Sequence, residues 1–106
     1  MANPTIYVGA RAPEGITVTI DPPEGVNASV LASCSGVTLE AKRAGGSPAT
    51  WAAQIIARGA SLTVEYQFLA GDVDTVGDYV IVPTLAVQGG TIRAEAFTLA
   101  VTDPYA

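Results

Sequence analysis

Three aspartates, Asp72, Asp74 and Asp78, fall within one short turn, the densest group of oxygen donors in the chain. Carboxylates at such spacing can collect a calcium ion, and the run D-x-D-x-x-G-D follows the opening of a calcium-binding loop with Gly77 at the sixth position. The rest of that loop is missing. Val76 has no side-chain oxygen at the fifth position, and Pro83 stands where a bidentate Glu belongs. Aspartates also close turns by bonding backbone two residues on. The turn-forming reading is favoured over a metal site, and no metal or cofactor is expected. A small hydrolase built on these aspartates would need them to converge in a pocket, and glycoside hydrolysis would need two acids facing one cleft. Glu40 and Glu65 instead fall on outward strand positions.

The other candidate chemistries fare worse. The chain has no histidine, hence neither the commonest general base near neutral pH nor the commonest metal ligand. Cys34 is the single cysteine, so it lacks an activating partner and reads as a small buried hydrophobe. Trp51 could stack on a sugar, but a lone Trp on a strand is more often core. Gly45-Gly46 and Gly89-Gly90 precede no helix, so neither reads as a phosphate-binding loop. No catalytic residue emerges, and the chain is expected not to be an enzyme.

Charge narrows the partners. The net charge is −5, and the five basic residues, Arg11, Lys42, Arg43, Arg58 and Arg93, form no stripe. Nucleic acid binding needs such a stripe to displace counterions. Charged residues make up 14% of the chain and apolar ones 49%. Together with a mean hydropathy of +0.37, this describes either a subunit packed against neighbours or an Ala- and Gly-rich domain whose index small side chains inflate. A single Cys forms no internal disulfide, which is compatible with folding in a reducing cytoplasm. No run of about twenty apolar residues suggests a membrane span, and the N-terminus lacks the features of a signal peptide.

Whatever these residues do, short strands must position them. Glycines and prolines divide the chain into segments with two-residue alternation. Ile6 to Val8 is the first. Ile16, Val18 and Ile20 alternate with Thr17 and Thr19, and Pro22-Pro23 ends that strand. Val26 to Gly36 reads either as a helical turn after Asn27 or as a short strand. Val37 to Arg43, Thr50 to Ile56 and Ser61 to Phe68 follow, the last alternating most cleanly. Tyr79 to Val87 is apolar at both parities, as expected of a central strand covered on both faces. From Thr91 to Val101 the apolar parity switches at Ala96-Phe97, which predicts a bulge or a change of sheet. The fold class expected is an all-β, immunoglobulin-like antiparallel β-sandwich of about seven or eight strands, in one domain spanning residues 1–106.

Gly77-x-Tyr79 at a strand start is the pattern of a tyrosine corner, in which the ring enters the core and the hydroxyl bonds back to upstream backbone. Around it runs an order of short motifs: Ile6-Tyr7-Val8-Gly9, Thr19-Ile20-Asp21, Lys42-Arg43 with Gly45-Gly46, Trp51-Ala52, Tyr66-x-Phe68-x-x-Gly71-Asp72-Val73, and Gly77-x-Tyr79. This order resembles small Ig-like virion proteins of tailed bacteriophages and is similar to the N-terminal Ig-like domain of baseplate upper proteins. The resemblance covers nearly the whole chain, while Gly25 to Gly36 looks like an insertion.

The resemblance implies a non-enzymatic virion protein that decorates capsids, necks or tails, or adapts fibres to baseplates. Its partners would be other virion proteins and copies of itself, with no nucleic acid or membrane, and its location the virion after synthesis in the host cytoplasm. Trp51, Tyr66, Gly71, Asp72, Gly77 and Tyr79 would be structural. The contrasting function is a surface adhesion or carbohydrate-binding module displaying Trp51, Tyr7 or Tyr105. Subunit contacts are expected in Ala2 to Glu14, Pro22 to Ser35 and Thr102 to Ala106, with Pro4, Ile6, Tyr7, Pro22, Pro23, Pro104 and Tyr105 as candidates. The terminal strands, Ile6 to Val8 and Ala94 to Val101, are expected at sheet edges.

Overall fold

The computed structural model describes residues 5–11, 13–43, 45–103 and 105. It is all-β apart from one short helix. The elements run β1 (Thr5–Tyr7), β2 (Gly15–Ile20), α1 (Ala28–Ala32), β3 (Gly36–Arg43), β4 (Ala49–Arg58), β5 (Leu62–Gln67), β6 (Gly77–Val87), β7 (Gly90–Arg93) and β8 (Phe97–Thr102). They form an open, curled sheet in the order β1-β8-β6-β3-β4-β5-β2, with β7 also paired to β6. The sheet is mixed rather than antiparallel throughout, because β1 runs parallel to β8, with Ile6 opposite Val101. Nearly the whole chain separates these two strands, so no tight turn constrains their direction.

The curl comes from β4. Its first half, through Ala53, pairs with β3, and its second half, from Gln54, pairs with β5. One long strand thus joins two ladders, and a bulge between Ile55 and Ala57 bends it further. The ladders bring their alternating apolar faces together. Ile16, Val18, Ile20, Leu62, Val64 and Tyr66 meet Val37, Leu39, Ile81, Leu85, Leu99 and Val101 in one contiguous core. The inward/outward alternation read from β2, β3 and β5 holds residue by residue.

The ambiguous segment resolves as the helical alternative. Asn27 caps α1, its side chain accepting from the Ser29 N–H at 3.3 Å. The helix drops Leu31 into the core, and Cys34 just beyond is equally buried. Arg58 Nη1 closes the far end by donating to the carbonyls of Ala32 and Cys34.

The parity switch near Ala96 is a bulge. Ile81 pairs with Phe97 and Thr84 with Arg93, so Ala94 to Ala96 oppose only Val82 and Pro83. Pro83 sits there because its missing N–H would point into the bulge, where its carbonyl accepts from the Ala94 N–H at 2.9 Å. Two other expectations fail. β8 is not an edge, since β1 covers its outer side. Nor is β6 covered on both faces. Tyr79, Ile81, Pro83 and Leu85 point inward, whereas Val80 is 49% exposed on the outer face. Its outward valines suit an extended strand by shape, so an apolar composition did not require a second covering layer.

Candidate interaction surface and its supporting turn

The residues picked out by the motif order form one construction. Tyr66 ends the inward row of β5, and Phe68 follows into the core. The chain then reverses over Leu69 to Asp72. The Asp72 N–H donates to the Leu69 carbonyl at 3.1 Å, and Gly71 holds φ +90, as the third residue of a type II turn demands. The Asp72 carboxylate answers by accepting the Leu69 N–H at 2.8 Å and the Tyr66 hydroxyl at 2.5 Å. Burial, then the Asp72 carboxylate, push the Tyr66 phenol well above its ordinary pKa of 10.

Next along the chain, the Tyr79 hydroxyl donates to the Thr75 carbonyl at 3.3 Å from a buried ring. The bond from hydroxyl to upstream backbone that defines a tyrosine corner is therefore present. Gly77 begins β6 with φ +143. The three aspartates do not converge, because Asp72 is engaged in its turn while Asp74 and Asp78 are exposed. Among the described residues no group of three or more His, Cys, Asp or Glu is placed to hold a metal ion.

Trp51 is 2% exposed. Its indole stacks on Tyr66, with centroids 5.1 Å apart and planes 3° from parallel, and meets the Phe68 ring edge-on at 5.5 Å. A ring stacked and sealed in this way has no face left for a sugar, so Trp51 is a core residue rather than a platform. Its buried Nε1 has no hydrogen-bond partner among the described residues.

The surface carries what the core does not use. On the outer face, Val80 and Val82 line a groove of about 590 Å³ together with Glu40, Lys42, Arg43, Gly45, Pro48 and Asp78. Glu40 is tied to its neighbours, accepting from Thr84 Oγ1 at 3.2 Å and lying 3.6 Å from Arg93. Sequence reasoning missed this face, because it assigned Val80 and Val82 to a covered strand. Of the residues expected to make contacts, Tyr7 is 58% and Tyr105 95% exposed, while Ile6 is half-buried against the core. Pro22 and Pro23 are half-buried and line a recess of about 420 Å³ with Pro83 and Arg93. Pro4 and Pro104 lie outside the described residues. Segment 25–36 is less free than an inserted contact loop would be, since Leu31 and Cys34 are core.

Among the described residues no helix is long and apolar enough to cross a membrane. No known protein family, curated protein or solved structure matches the chain.

Proposed function

We propose that this chain is a non-enzymatic structural subunit of a tailed-bacteriophage virion, with an immunoglobulin-like β-sandwich as its finer architecture. It acts through contacts with other virion proteins and with copies of itself, and engages neither nucleic acid nor membrane. The motif order supports the family, and the corner geometry of Tyr79 and Thr75 supports the architecture. The observation that carries the function is the bare outer face of β6. Val80 and Val82 stand at the middle of the sheet with Lys42, Arg43 and Asp78 around them, an apolar centre with a charged rim as protein contacts have. Burying it against a neighbour would add apolar contact that the isolated chain does not make.

The carbohydrate-binding alternative loses its principal residue with Trp51 in the core. The test is incorporation. A Val80→Lys, Val82→Lys variant should fold, since both side chains point outward, yet fail to enter particles that accept the unaltered chain. Normal incorporation would remove this face from the account.

A further inference from the structure

Two opposite charges flank Val80 on the outer face of β6. Val80 lies opposite Lys42 of β3, and Asp78 stands two residues from Val80 along β6, so all three share that face. With strands about 4.8 Å apart and a rise of about 3.4 Å per residue, Lys42 and Asp78 are about 8 Å apart, with Val80 at the corner between them. Both are exposed, and among the described residues neither side chain has a hydrogen-bond or ion-pair partner. The other charges of the groove are placed differently. Glu40 is answered by Thr84 and Arg93. Arg43 leans over its own turn, where a Cβ on Gly46 would lie 2.7 Å from the Arg43 Cγ, and it adds a second cation on the Lys42 side.

A partner surface of one sign fails here, because it meets either Lys42 or Asp78 with its like. The surface that fits carries an acid over Lys42, a base over Asp78 and an apolar centre between them. The same patch on a second copy of this chain has that arrangement. We propose that the outer face of β6 is an isologous contact, in which two copies meet about a two-fold axis lying between their sheets. The axis bisects the line from Lys42 to Asp78 at a right angle. Lys42 of each copy then faces Asp78 of the other, and Val80, within about 2 Å of the axis, packs on its own mate. The strands of the two sheets cross at roughly 70°, toward the orthogonal class of sheet packing. Val82 is carried over β8 of the other copy, where Thr98 and Ala100 share the outer face and bring no charge. Glu40 falls over the end of that strand, at the uncharged Ala100 and Thr102. This inference rests on the reading of the outer face as a contact surface, and it names the occupant.

Sedimentation velocity of the full chain, in a concentration series up to about 1 mM, tests this. The patch is small, so a weak, reversible dimer is expected. Lys42→Glu and Asp78→Lys each set like charges face to face and should each weaken self-association about tenfold or more. Asp78→Lys should do so even though it reduces the net charge of −5. Mixed in equal amounts, the two variants should form a heterodimer about as tight as the unaltered dimer, because both facing pairs are then opposite in sign. Should either variant misfold, Val80→Lys takes its place and should abolish the dimer. A chain that stays monomeric throughout, reversals that leave the dimer intact, or a mixture no tighter than the single variants would overturn the proposal. A monomeric chain whose Val80→Lys, Val82→Lys variant still fails to enter particles would overturn this inference alone and leave the face to a different protein. The expected dimer, together with normal incorporation of that variant, would support the inference and remove the face from particle assembly.

Discussion

The Tyr66 hydroxyl donates to the Asp72 carboxylate at 2.5 Å, and the same carboxylate oxygen caps the Leu69 N–H at 2.8 Å. A single side chain thus ties the end of β5 to the turn that reverses the chain toward β6. Removing the hydroxyl with Tyr66→Phe should cost about 1.5–3 kcal/mol, the range for bonds to a charged group. Asp72→Ala should cost more, because it strands the partly buried Tyr66 hydroxyl and frees the turn. A double-mutant cycle read by chemical denaturation should show the two changes to be strongly non-additive. Additive losses would mean that the bond contributes nothing.

The same pair sets an alkaline limit. An unfolded Tyr ionises near pH ~10, whereas burial and the Asp72 carboxylate hold the folded phenol protonated to higher pH. Tyr66 therefore contributes fully below pH ~10, and its contribution is lost as pH rises from there toward the folded value. Denaturation midpoints measured across that range should fall more steeply for the unaltered chain than for Tyr66→Phe. Parallel slopes would contradict the assignment.

Trp51 separates packing from hydrogen bonding. Its stacked indole fills the core beside Tyr66 and Phe68, so Trp51→Ala should cost roughly 3–5 kcal/mol. Its Nε1 has no partner among the described residues, so Trp51→Phe should lose only packing and fall well short of that cost. Thermal unfolding of the two variants checks the difference.

Tyr79→Phe should be mild. The bond to the Thr75 carbonyl is 3.3 Å, at the long end for a hydroxyl donor. A cost of about 1 kcal/mol or less is expected, and calorimetry resolves it.

Much of this architecture was legible because period-two alternation is a direct consequence of one buried face. Ile16, Val18 and Ile20 or Leu62, Val64 and Tyr66 cannot alternate otherwise without losing their burial. Tyr79 was legible through Gly77, since the corner has a local spacing. The Tyr66–Asp72 bond was not, although both residues stood out, because six positions of separation name no partner until Gly71 turns the chain. Composition also misled at β6, where Val80 and Val82 resemble core residues. Only the strand order reveals which faces and edges lack cover, and so the open side of β2 and the parallel pairing of β1 had no signal in the sequence. The helix at Ala28–Ala32 is too brief for its periodicity to decide between the two readings.

The central claim concerns where the chain resides. Quantitative mass spectrometry of virus particles purified from cells that encode this chain tests the proposed virion role directly. The account predicts that the polypeptide is present at many copies per particle and stays associated through density-gradient purification. Particles that assemble fully and contain none of it would contradict the account.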